Sequence, residues 1–219
     1  MNGLPTEMID RWQDRAEPAP GEGLIYWHML VGTDPEVIAL VREARWRLVP
    51  FTGLHLTPYV WLHITALIAG PASEISGEGM QEMASVAGRL LADTPPAHVT
   101  IGKVLYHPEA IMLAVTPTEA LLPVFEAVRE ATREVTGGPG RAGSKLPWTP
   151  HITIAYSTAL QPAEPIITSL GRSLPERKVQ INQVSLVIQR GPERNWDWYP
   201  EATIRFGTSQ YGTGPTSSD

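Results

Sequence analysis

The apolar positions of this chain fall into one order of elements written twice. In the first half an apolar run over 24–31 reads as a strand. It leads into Asp34-Pro35, a capping side chain followed by proline at the first helical position. Val37, Ile38, Val41, Ala44 and Leu48 then recur at the spacing of a helix that buries one stripe. In the second half the run 111–115 leads into Thr116-Pro117, again a cap and an opening proline, and Leu121, Phe125, Val128 and Val135 repeat the stripe. Each half goes on to a second helix and a third strand, 80–91 then 99–105 in one, 164–170 then 179–188 in the other. A short strand over 202–206 closes an edge.

The repetition extends to residues. Val41-Arg42-Glu43-Ala44 recurs as Val128-Arg129-Glu130-Ala131, an offset of 87. That period is well above those of solenoid repeats and fits a duplicated half-domain. Strand, helix, strand, helix, strand, written twice, predicts an α+β fold, a duplicated bilobal domain in which two antiparallel-type sheets line a central groove with helices outside. The domain is expected over 24–206, with lobe repeats of about 24–106 and 111–206. The Pro/Glu-rich opening, 1–23, and the tail 207–219, almost entirely Gly, Ser, Thr and Pro, are expected to be flexible.

Composition narrows the chemistry. A chain of 219 residues is long enough to bury its own core, and the absence of cysteine excludes disulfides, a thiolate nucleophile and Cys-based metal sites. The opening lacks the apolar stretch of a signal peptide, and no later stretch approaches the roughly 18 to 20 apolar residues of a membrane span, so the expectation is a cytoplasmic monomer with no membrane partner. The net charge of −6 argues against a broad duplex-binding surface, so a nucleic-acid substrate is expected to be short or gripped locally.

Four of the six histidines stand two residues before a threonine: His55, His63, His98 and His151. His55-Leu56-Thr57 runs into Pro58, which places it in a loop, and His98 has no counterpart in the second half. His63 and His151 do match, at an offset of 88. Strand alternation puts His63 and Thr65 on one face with Leu62, Ile64, Ala66 and Ile68 on the other, and His151 and Thr153 opposite Ile152, Ile154 and Tyr156. If the halves are related by an approximate two-fold, the two faces meet across the groove. Two imidazoles there can divide acid and base roles near neutrality, and two hydroxyls can bind non-bridging phosphate oxygens, with no metal and no cofactor. A zinc site on His63 and His151 lacks a third ligand at a characteristic spacing.

On these residues, Trp61-Leu62-His63-Ile64-Thr65-Ala66 and Pro150-His151-Ile152-Thr153-Ile154, the chain resembles the two-histidine phosphoesterase superfamily, which contains the RNA 2',3'-cyclic phosphodiesterases also called 2'-5' RNA ligase-like proteins. The resemblance covers about 24–206. It implies a metal-independent hydrolase of 2',3'-cyclic phosphates or 2'-5' linkages in short RNA ends or small nucleotides, with His63 and His151 as the acid and base and Thr65 and Thr153 on the phosphate. A non-catalytic module that binds nucleotides or RNA ends, and an enzyme for another small cyclic phosphoester, stay open beside it. Arg141 and Lys145 in the glycine-rich segment 137–145 are candidate phosphate grips, Trp148 a candidate base-stacking ring, and His28 on the first strand a candidate groove residue.

Overall fold

The computed structural model describes residues 3–15, 18–19, 22–141 and 147–207. In chain order the elements are β1 (Glu7–Met8), β2 (Leu24–Leu30), α1 (Pro35–Leu48), β3 (Leu54–Leu56), β4 (His63–Pro71), α2 (Gly77–Leu91) and β5 (Ala97–His107). They continue with β6 (Ala110–Thr116), α3 (Leu122–Thr136), β7 (His151–Ser157), β8 (Gln161–Pro162), α4 (Glu164–Leu170), β9 (Ser173–Ile181), β10 (Gln183–Gln189) and β11 (Tyr199–Arg205). Asp34 caps α1 as its position predicts, its carboxylate accepting from the N–H groups of Glu36 and Val37 at 2.8 and 3.1 Å. The second proline behaves differently. Pro117 precedes a single 3-10 turn, and α3 begins only at Leu122, where Pro123 supplies the helix-opening ring.

Eight strands run in the order β11-β10-β2-β4-β7-β6-β5-β9, every pairing antiparallel. The central pairing, β4 with β7, rests on a single residue pair, Ile64 with Ile152. The array is therefore two four-stranded sheets joined at a seam, with the short β3 added beside β7. The halves also exchange parts across it. β5 lies in the second sheet beside β6, and β10 lies in the first beside β2. Helices α2 and α3 pack over the first sheet against β11 and β4, while α1 packs over the second against β9 and meets α4.

A strand over 179–188 is instead two. The chain leaves the second sheet at Ile181 and enters the first at Gln183, and the positions that join the main core change parity there, from 179 and 181 to 184, 186 and 188, while Ser185 and Val187 on the other face of β10 are buried as well. The opening segment, expected to be flexible, is docked over 3–15. Met8 is fully buried, β1 pairs with β8, and Arg11 binds Glu109 and Glu193. Its anchors are 98 and 182 positions away, so composition near the terminus could not reveal them. From 208 onward the tail lies outside the described residues.

Candidate active site at the seam

His63 and His151 open the two seam strands. Around the Ile64–Ile152 pair the antiparallel register sets His63 opposite Thr153 and Thr65 opposite His151, and all four point away from the buried isoleucines. On that register the histidines are diagonal neighbours, a relation that typically separates residues by about 7 to 8 Å and their Cβ atoms by somewhat less. The four side chains are half-buried, accessible from one face and supported by the core on the other.

Both imidazoles are held the same way. Nδ1 of His63 lies 2.6 Å from the Trp61 carbonyl, and Nδ1 of His151 lies 2.8 Å from that of Thr149, in each case two residues back. A carbonyl only accepts, so Nδ1 carries a proton and Nε2 is left to take or give one. Burial pushes both rings below the ordinary histidine pKa. At His63 the Trp61 carbonyl and Glu193 act against that and His151 reinforces it; at His151 the Thr149 carbonyl opposes it.

Each seam strand also carries a β-bulge immediately after its His-x-Thr. On β4 the pairing with β2 passes from Thr65 to Leu67 and skips Ala66; on β7 the pairing with β6 passes from Thr153 to Ala155 and skips Ile154. Simple alternation therefore fails at this point. Ile68 and Tyr156, expected on the core face, return to the His-x-Thr face, and Leu67 and Ala155 turn inward instead.

Pre-strand segments complete the symmetry. β3 pairs with β7 at its far end, setting His55 opposite Tyr156, so His55 stands on a short strand rather than in a loop. Arg141 makes the equivalent approach to β4, exchanging backbone hydrogen bonds of 2.8 and 2.9 Å with Ile68. Gly140 has a φ of +64°, and a Cβ on it would lie 2.7 Å from the Ile68 carbonyl oxygen, so only glycine lets the chain approach there.

The remaining sequence candidates separate. Arg141 is exposed at the groove edge, close enough to Tyr26 for its charge to act on that phenol, whose pKa burial pushes up to about 12. Lys145 lies outside the described residues. Trp148 is not a stacking platform. It is buried on the core side, stacked on Phe125 of α3 at 4.7 Å, and its Nε1 donates to the Thr65 carbonyl at 3.1 Å. His28 is buried beneath His63, with ring centroids 4.1 Å apart, and its other flanks are closed by Tyr26 and Trp198. Burial drives its pKa well down, so it is a neutral prop and not a groove lining.

Sequence reasoning missed Tyr26, Tyr156, Arg11 and Glu193. Arg11 holds Glu193 with two hydrogen bonds, 2.6 and 2.8 Å, and its guanidinium lies 4.5 Å from the centre of the Tyr156 ring. The Tyr156 hydroxyl donates to Glu193 at 3.4 Å. The bulge that brings Tyr156 onto this face leaves no local trace in the sequence. Among the described residues no three His, Cys, Asp or Glu side chains are grouped as metal ligands, and no helix is long and apolar enough to cross a membrane.

A family model places the chain: it belongs to the 2'-5' RNA ligase superfamily, whose model matches residues 33–193. The fold is similar to that of TT0787 of Thermus thermophilus, at a TM-score of 0.63 and 20% identity over 84% of this chain and 98% of that one. It is also similar to E. coli LigT complexed with 3'-AMP, at 0.59 and 14% over 85% and 98%, and to the MHV ns2 PDE domain, at 0.56 and 13% over 76% and 99%. LigT has further been crystallised with ATP, NADP+ and phosphate. No curated protein sequence matches the chain.

Proposed function

We propose that the protein is a metal-independent phosphodiesterase that acts on 2',3'-cyclic phosphates or 2'-5' linkages of small nucleotides and short RNA ends, with His63 and His151 as acid and base. The observation that carries this reading is the register at the seam, which sets two Nδ1-anchored imidazoles diagonally across one face with a threonine beside each. Membership of the 2'-5' RNA ligase superfamily supports phosphodiester chemistry.

In hydrolysis of a cyclic phosphate, the neutral imidazole takes a proton from water at Nε2 as the water oxygen bonds to phosphorus. The ester bond to one ribose oxygen breaks, and the second imidazole, protonated, gives that oxygen its proton. The product is a phosphomonoester beside a free hydroxyl, and the two rings have exchanged protonation states until solvent restores them. Thr65 and Thr153 donate to the non-bridging oxygens, where negative charge accumulates. Both proton transfers come from side chains, so the step needs no metal. Depressed pKa values favour the base form, and the bound anion supplies the charge that keeps the acid protonated.

The test is turnover of a nucleoside 2',3'-cyclic phosphate and of 2'-5'-linked dinucleotides in excess chelator. Activity that disappears in His63→Ala and His151→Ala is expected. Absence of turnover on every substrate, or turnover that survives both substitutions, removes the proposal.

A further inference from the structure

The two ends of the groove are built differently. At one end Arg141 borders Ile68 and the half-buried Tyr26, and its guanidinium is exposed. At the other end, beyond Thr153, the face is filled. Trp12 packs on Tyr156 and on His55, both at 5.5 Å between ring centroids, and Trp196 joins them, its Nε1 donating to Nε2 of His55 at 3.1 Å. Tyr156 and Trp196 form a buried apolar cluster of their own with Ala110, outside the main core. The opening segment is fastened over this end by backbone bonds, Ile9 N–H to the Pro108 carbonyl at 2.9 Å and Arg11 N–H to that of Ser157 at 3.0 Å. Arg11 itself is engaged by carboxylates. Burial opposes its charge, yet the Glu193 hydrogen bond and the surrounding acids raise its pKa above the usual value. Arg15 adds a second ion pair to Glu109.

We infer that this arm, residues 3–15, is a specificity element that stoppers the groove beyond Thr153, so that the site takes a phosphodiester at the end of a nucleotide chain and rejects one in its interior. The inference rests on the phosphodiesterase reading and narrows its substrate class. An internal linkage needs room for a nucleotide on both sides of the phosphorus atom. Here one side meets Trp12, Tyr156 and Trp196, and the charged groups of the arm and its partners are Glu7, Asp10, Asp14, Glu109 and Glu193 against Arg11 and Arg15. That surplus of negative charge repels a following phosphate. A 2',3'-cyclic phosphate has no following nucleotide, so its chain, if any, leaves over the Arg141 end. The arm lies before the region the family model matches, and its partner strand β8 lies within it.

The experiment compares kcat/KM of the full chain on a nucleoside 2',3'-cyclic phosphate and on a short RNA with one internal 2'-5' linkage, then repeats it for Trp12→Ala, which opens the stopper, and Asp10→Asn, which removes one negative charge and keeps the acceptor for the Trp12 N–H. Wild type is expected to favour the cyclic phosphate by about a hundredfold or more, and each variant to narrow that ratio by about tenfold through faster cleavage of the RNA. Cyclic-phosphate turnover should stay within about threefold, because neither side chain belongs to the four at the seam. Wild type that cleaves the internal linkage as well as the cyclic phosphate overturns the inference whether or not the variants fold, and so do folded variants with an unchanged ratio. Turnover of neither substrate removes the phosphodiesterase reading, and the inference with it.

Discussion

The strand that carries His63 and the strand that carries His151 share three local devices: a carbonyl two residues back on Nδ1, a threonine two residues on, and a bulge directly after it. They differ in what surrounds the ring. His63 rests on buried His28 and meets the edge of Trp198 at 5.5 Å, whereas no aromatic ring among the described residues packs on His151. Glu193 acts on His63 and is not among the causes that shift His151. A symmetric backbone thus presents two imidazoles in different electrostatic surroundings: burial and the carbonyl two residues back act on both rings, and Glu193 and His151 act on His63 in addition. The proposed acid and base roles call for such a difference, and one of its sources, Glu193, lies outside the repeated motif.

Equivalence is broken most severely by removing a ring. His63→Ala and His151→Ala are each expected to lower kcat/KM by on the order of 10² to 10⁴, and the double variant to lose little more than the worse single one, since the pair works as a unit. A variant that keeps near-wild-type rates would show that one ring suffices. Thr65→Val and Thr153→Val should each cost about 10² in kcat, and unequal losses would reveal which hydroxyl faces the oxygen that gains more charge. Trp148→Phe tests the support on one side only. It deletes the bond to the Thr65 carbonyl and should lower stability by about 0.5 to 1.5 kcal/mol in denaturant titration, the typical net worth of one such bond.

Finer effects appear in pH dependence. With both rings depressed, kcat/KM should peak below pH 6.5 and fall as pH rises through the active-site pKa values, because the acid is then lost from the free enzyme. Glu193→Gln should move the His63 limb to lower pH and leave the His151 limb in place. The smallest expected effect concerns folding. His28, His63 and His151 resist protonation when folded, while the unfolded chain titrates near the ordinary value of 6.5. The unfolded state therefore holds more protons just below that pH, so stability present above about 6.5 drains as pH falls beneath it. His28→Gln should weaken this acid sensitivity, read as a smaller drop in thermal midpoint between neutral and mildly acid buffer.

What is local is legible in the sequence. Periodic stripes locate the helices, and matched spacing singles out His63 and His151 among four similar pairs, because a duplicated backbone preserves offsets. The bulges escape such reading, since an extra residue is defined by the partner strand, and so alternation alone sets Ile68 and Tyr156 on the wrong face. Trp148 reads as a possible platform because one ring near a His-x-Thr strand carries no mark of which side it packs on. The arm escapes for a related reason: ion pairs to Glu109 and Glu193 depend on the finished fold. One signal does stand in the sequence, the change of parity between Ile181 and Val184 that marks the crossing from sheet to sheet.

That crossing has a consequence for how the repeat can exist. β5 completes the sheet of the other half, and β10 does the same in return, while the helices α1 and α3 likewise cover the opposite lobe. Severing the chain between His107 and Ala110 would leave each fragment with strands lacking their neighbours. A single copy of the unit could satisfy its edges only by trading the same pieces with a twin.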